Sequence, residues 1–267
     1  MDNTSIRPAA VAGAFYPGNP ANLTQEVDAY LALAERTPLR PKALIVPHAG
    51  YVYSGVVAAR ACVLLAPMAE IIRRVVVFGP AHREWVRGLA APGCAAFATP
   101  LGRVAVDSEA VATAARLPQV EISDLAHRQE HCIEVQLPLL QVVLTDFAIV
   151  PFVVGGASPD QVAEVMELLW GQEETLILVS SDLSHYLPYE AARQMDQATA
   201  LSVVQGKPLA RHEQACGAVA INGLIEVVRS HGMHGTLLDL RNSGDTAGDR
   251  SRVVGYGAFA FTEPSHD

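Results

Sequence analysis

Apolar and polar positions along the chain fall into two alternating textures. Short, nearly unbroken apolar runs occur at 43–47 (ALIVP), 74–79 (RVVVFG), 147–154 (FAIVPFVV), 175–180 (TLILVS), 235–241 (GTLLDLR) and 253–261 (VVGYGAFAF). Between them lie segments with apolar residues at helical spacing, over 22–35, 54–66, 107–116, 129–144, 159–170, 188–205 and 216–230. Runs without polar alternation predict strands covered on both faces, as in a parallel or mixed sheet. The alternation of the two textures predicts an α/β fold. The stretch 88–106 (GLAAPGCAAFATPLGRVAV) breaks the rhythm with glycine and proline and reads as a β-excursion inserted after the second strand. No repeat, linker or low-complexity tract divides the chain. Residues 1–267 therefore read as one domain, with a central mixed, mostly parallel sheet flanked by helices.

Composition narrows the function classes. Half of the 267 residues are hydrophobic and 18% are charged, the balance of a folded chain. The 19 basic and 28 acidic residues give a net charge of −9, which repels phosphate backbones and argues against nucleic-acid binding. The cysteines, Cys62, Cys94, Cys132 and Cys216, form no C-x-x-C pair, so neither a zinc knuckle nor a thioredoxin motif is present. The N-terminal stretch MDNTSIRPAAVAGAFYP lacks the apolar core of a signal peptide. No apolar run is read as long enough for a membrane span. The expectation is a soluble, cytoplasmic protein with reduced thiols and no membrane partner.

The chemistry concentrates where strands end. The first run leads through Pro47 to His48 in ALIVPHAGYVYSG, the second to His82 in RVVVFGPAH, and the fourth to Asp182 and His185 in TLILVSSDLSHY. Ligands of open α/β sheets bind beyond the carboxyl ends of the strands. If these strands are parallel neighbours, His48, His82 and His185 converge on one crevice with Asp182 at its wall. Asp182 has a second reading as the cap of the following turn.

The segment HRQEHCIEVQLPLL (127–140) carries Glu130, His131 and Glu134. On a helix these three share a face, either delivering acidic groups to the crevice or forming an exposed helix end favoured by the dipole. The zincin arrangement of two histidines at i, i+4 is absent. Cys216 precedes Gly217 at the start of an apolar helix, where a thiolate is stabilised and serves as ligand or nucleophile. Cys62 and Cys132 read as small core residues, and RNSGDTAGDR (241–250) as a flexible polar loop before the last strand, a plain surface loop or one that borders the crevice.

Taken in order, RPAAVAGAFYP, PHAGYVYSG, GPAH, EHCIEVQLPLL, SSDLSHY and CG span most of the chain, and the set resembles the Memo family, also called the AmmeMemoRadiSam system protein B group. That family is similar in fold to class III extradiol dioxygenases. The resemblance implies metal ligands at His48, His82 and Cys216, further pocket residues at Asp182 and His185, and a proton-transfer role for His185. A thiolate in place of the dioxygenases' carboxylate is softer and oxidisable, which keeps iron, copper and zinc in play, with iron or copper preferred. Dioxygenase activity does not travel with the fold. The leading expectation is a metal-dependent redox enzyme or oxygenase acting on a small substrate. A second is a non-enzymatic binding or scaffold protein that takes a small molecule or peptide in its cleft and works with AMMECR1-like and radical SAM proteins. A third is a zinc hydrolase with Glu130 or Glu134 as general base.

Overall fold

The apolar runs assemble into a twelve-stranded mixed sheet. The computed structural model describes residues 5–35 and 37–263. Its strands are β1 (Ile6–Arg7), β2 (Ala43–Val46), β3 (Arg74–Pro80), β4 (Leu89–Ala91), β5 (Ala96–Thr99), β6 (Gly102–Val106), β7 (Val120–Ile122), β8 (Ala148–Val154), β9 (Thr175–Ser180), β10 (His185–Leu187), β11 (His234–Asn242) and β12 (Val253–Thr262). The helices are α1 (Pro20–Leu33), α2 (Tyr51–Cys62), α3 (Ser108–Ala114), α4 (Asp124–Arg128), α5 (Leu137–Val143), α6 (Pro159–Leu168), α7 (Tyr189–Val204) and α8 (Ala218–Ser230).

The strand order along the main path is β1-β5-β6-β8-β3-β9-β2-β12-β10. The centre, β8-β3-β9-β2, is all parallel. β12 joins β2 antiparallel and carries the hairpin partner β11 on its other edge. Every residue of β2 and β9 is buried, as their unbroken apolar sequences require, because helices cover both faces of the parallel centre. Phe78 of β3 stacks on Phe152 of β8 at 5.2 Å, and burial of each such ring contributes about 1.5–3 kcal/mol. Helices α6 and α8 pack on each other, while α1 packs against α2 and α5. The excursion expected at 88–106 is present as β4, β5 and β6.

Two expectations need correction. Residues 129–144 are not one helix. α4 stops at Arg128, and a short 3₁₀ turn (Glu134–Gln136) and α5 follow only after an irregular stretch. The cause is local. The Glu130 carboxylate accepts hydrogen bonds from the backbone N–H groups of His131 and Cys132, offering the chain an alternative to the helix. Glu130 and Glu134 consequently do not share a helix face. Secondly, Tyr51–Met68, α2 with the 3₁₀ turn that follows it, is long and apolar enough to cross a membrane by length and composition alone. It is 67% buried within the protein and packs as a core element.

Candidate metal centre

β9 lies between β3 and β2, all three parallel, so the segments leaving their C-terminal ends are neighbours. Val46 pairs with Ser180, and Phe78 with Val179. This register brings His48, His82 and Asp182 to one edge of the sheet, as the strand-end pattern predicts.

His48 is buried and fully organised. Its backbone N–H donates to Asp182 Oδ1 at 2.8 Å. Its ring Nδ1 lies 2.9 Å from Ser180 Oγ, which donates its own proton to Cys132 O at 2.6 Å and accepts from Gln136 Nε2 at 2.9 Å. With the hydroxyl proton committed elsewhere, Nδ1 must be the donor, and Nε2 is left with a bare lone pair. Burial lowers the His48 pKa to about 4, so the ring stays neutral at ordinary pH. Nε2 faces Cys216 Sγ at 3.4 Å, with Asp182 Oδ2 at 4.0 Å.

His82 is held in the same tautomer. Its Nδ1 lies 2.9 Å from Glu130 Oε1, and its backbone N–H donates to Glu130 Oε2 at 2.7 Å. Glu130 is buried, and although burial opposes its charge, hydrogen bonds from His131 and His82 hold its carboxyl far below the usual range.

Cys216 reaches the site through close backbone packing. Its N–H donates to Asp182 O at 3.2 Å, and the next residue, Gly217, donates to Ser181 Oγ at 2.9 Å. A Cβ at position 217 would meet the Ser181 side chain at 2.7 Å, so glycine is what lets the start of α8 approach β9. Burial, reinforced by the Asp182 charge, pushes the Cys216 thiol up to about 12, so the helix start does not stabilise a free thiolate here as its position had suggested.

The structure adds a residue without an assigned role in the sequence, His131. One ring nitrogen from each of His48, His82 and His131 lies within 4.8 Å of the others. The His131 ring is 4.7 Å from His82, 5.4 Å from His48 and 4.8 Å from Phe15, centroid to centroid. Helical spacing placed His131 on one helix face with Glu130 and Glu134, without a role of its own. The available signal was the density of ligating residues in HRQEHC.

The other expected residues have different surroundings. The His185 ring donates Nδ1–H to Leu183 O at 2.8 Å and packs on Tyr186. Among the described residues it makes no ring contact with the three clustered imidazoles, because it lies on β10, paired with β12. Tyr186 beside it has a φ of 58°, the left-handed region, which strains a tyrosine backbone. Glu134 is fully buried and saturated: it accepts from Arg7, Tyr16 OH and the backbone N–H groups of Ala10 and Val11. With Glu130 committed to His82, neither carboxylate is free to serve as the general base of a hydrolase, and that expectation is dropped. Cys62 and Cys132 are buried, as expected of core residues.

The family model described as "Memo-like protein" matches residues 7–260. The chain belongs to the Memo family. Among Memo relatives, a "MEMO1 family protein" of Aquifex aeolicus (strain VF5) is 33% identical over 96% of this chain and 99% of its own length. Another, of Archaeoglobus fulgidus, is 36% identical over 96% of this chain and 99% of its own length. A crystal structure titled as an uncharacterized protein, JW3007, from Escherichia coli K12 matches 83% of this chain and all of its own, at 14% identity and a TM-score of 0.49.

The donor set of this Memo protein fits a metal ion. Two imidazoles present bare Nε2 atoms, a thiol lies beside one of them, and the buried His131 Nδ1 has no partner in hydrogen-bond geometry. Imidazole and thiolate together suit copper, zinc and iron.

The loop carrying Asp182 is fastened by a second buried acid. Asp196 of α7 accepts from the Ser184 backbone N–H at 3.0 Å. Burial raises its pKa from 3.8 to about 6. A group raised in the folded state contributes stability that is full below its unfolded pKa and lost as pH rises through the folded one. Wild type is therefore expected to lose roughly 3 kcal/mol between pH 4 and 7 from this group. Urea unfolding of Asp196→Asn across that range is expected to lack this loss.

Proposed function

We propose that the protein holds one transition-metal ion, iron or copper in preference to zinc, at His48, His82 and Cys216, and uses it in a redox reaction on a small organic substrate. The observation that carries this reading is the bare His48 Nε2 facing the Cys216 sulfur at 3.4 Å. When bound, such an ion supplies one-electron exchange and polarises an oxygen ligand. The chain's own residues do the rest. Ser180 and Glu130 keep the two imidazoles in the ligating tautomer. Asp182 ties the His48 backbone to the loop after β9, and its carbonyl ties down Cys216. His185, with Nδ1–H held by Leu183 O, keeps Nε2 as its basic atom, suited to receive a substrate proton and return it. The four free cysteines accord with a cytoplasmic location.

Protein purified without oxygen is expected to carry about one metal per chain by elemental analysis, with occupancy falling severalfold or more in His48→Ala, His82→Ala and Cys216→Ser. Unchanged occupancy in all three would sink the ligand set. Oxygen uptake with iron or copper and a panel of small reductants tests the redox step. Absence of uptake, with tight binding to an AMMECR1-like or radical SAM protein, would favour the scaffold reading instead.

A further inference from the structure

We infer that Glu130 is a positioning residue that holds two imidazoles at once and thereby makes His131 a third nitrogen donor to the metal. The inference rests on the metal reading above and extends it by one ligand and one carboxylate.

The geometry is specific. Glu130 is buried and its two oxygens accept from the backbone N–H groups of His82, His131 and Cys132 and from the His82 ring. Those bonds tie the loop after β3 to the irregular stretch that follows α4. They place His82 and His131 against the same carboxylate oxygen, Oε1, with the His131 Nδ1 3.2 Å from it. That nitrogen is buried and makes no hydrogen bond in this geometry. A bare Nδ1 lone pair there would set two negative centres against each other away from water. A proton on Nδ1 instead meets a carboxylate oxygen 3.2 Å away. Nε2 of His131 is then left unprotonated, matching His48 and His82.

The backbone on the other side agrees. Phe15 packs on the His131 ring at 4.8 Å, and its carbonyl accepts from the Tyr51 N–H at 2.7 Å, next to the His48 turn. Arg7 Nη2 donates to the Glu130 carbonyl at 2.6 Å. The ring is thus fixed from both sides and faces two other imidazoles. A wall residue needs neither a carboxylate on its Nδ1 side nor two neighbours presenting lone pairs.

Two measurements test this. In metal-free protein, long-range ¹H–¹⁵N spectra at pH 8 are expected to show both His82 and His131 as Nδ1–H tautomers, with Glu130→Gln shifting both toward a mixture. An Nε2–H tautomer for His131 in wild type overturns the inference without touching the metal reading. In protein loaded with Cu²⁺, pulsed EPR is expected to count three imidazole nitrogens, falling to two in His131→Ala. Calorimetric Zn²⁺ affinity is expected to drop about 10- to 100-fold in Glu130→Gln. Two nitrogens in wild type, or unchanged affinity in Glu130→Gln, overturns it. Loss of all copper binding in wild type would instead count against the proposed function itself.

Discussion

Replacing Glu134 by alanine is expected to remove about 3–5 kcal/mol of folding stability, measured as a lowered urea midpoint at an unchanged slope. Glu134 is completely buried, and its partner Arg7 is nearly so, at 2.5 Å. The alanine variant strands the Arg7 guanidinium in a low-dielectric site. It also leaves the Tyr16 hydroxyl and two backbone N–H groups without their acceptor. Arg7 keeps its bonds to the carbonyls of His127 and Glu130, which satisfy its donors but not its charge. The double variant Arg7→Met, Glu134→Leu is expected to be less destabilised than Glu134→Ala, because it removes the charge with its partner. A double variant worse than the sum of the single ones would mean that the pair is not what the cost comes from.

This clamp bears on function through the chain it holds. Residues 7–16 wrap from β1 past Glu134 to Phe15, which packs on His131. Loosening the clamp frees that segment and with it one wall of the metal centre. Weakened metal binding in Glu134→Ala would therefore accompany its lost stability, whereas Asp196→Asn acts on the loop that carries Asp182.

The centre of the fold was legible because β2, β3, β8 and β9 are buried on both faces and so read as uninterrupted apolar runs. The convergence of His48, His82 and Asp182 was legible for the same reason, since each follows such a run directly. Cys216 was legible from its place before Gly217 at the start of an apolar helix and from the family resemblance. The roles of His131 and Glu130, though not the residues themselves, were hidden by a periodic pattern that the backbone does not follow. The carboxylate of Glu130 takes over N–H groups that a helix would use, and spacing counts cannot register that competition. Arg7 and Glu134 are 127 positions apart, and nothing local in either segment announces their pairing. His185 follows a strand end like the others, but it lies on β10, and nothing in its own segment announces the pairing of β10 with β12 near the end of the chain.

Metal affinity is expected to rise about tenfold for each unit of pH between 7 and 9, with one proton released per ion bound. The sign follows from the thiol. Burial and the Asp182 charge hold the Cys216 pKa near 12, so the sulfur is protonated throughout this window in metal-free protein. An ion that takes the thiolate must displace that proton, and each rise in pH lowers the competition. His48 adds nothing to the slope, because its pKa of about 4 leaves Nε2 bare well below the window. Calorimetry of Zn²⁺ binding in buffers of different ionisation enthalpy counts the proton directly. Cys216→Ser is expected to lose the slope and the proton together, and to bind on the order of 100-fold more weakly at pH 8. A flat profile in wild type would show that the sulfur stays protonated while the imidazoles hold the metal, which would move Cys216 from ligand to bystander.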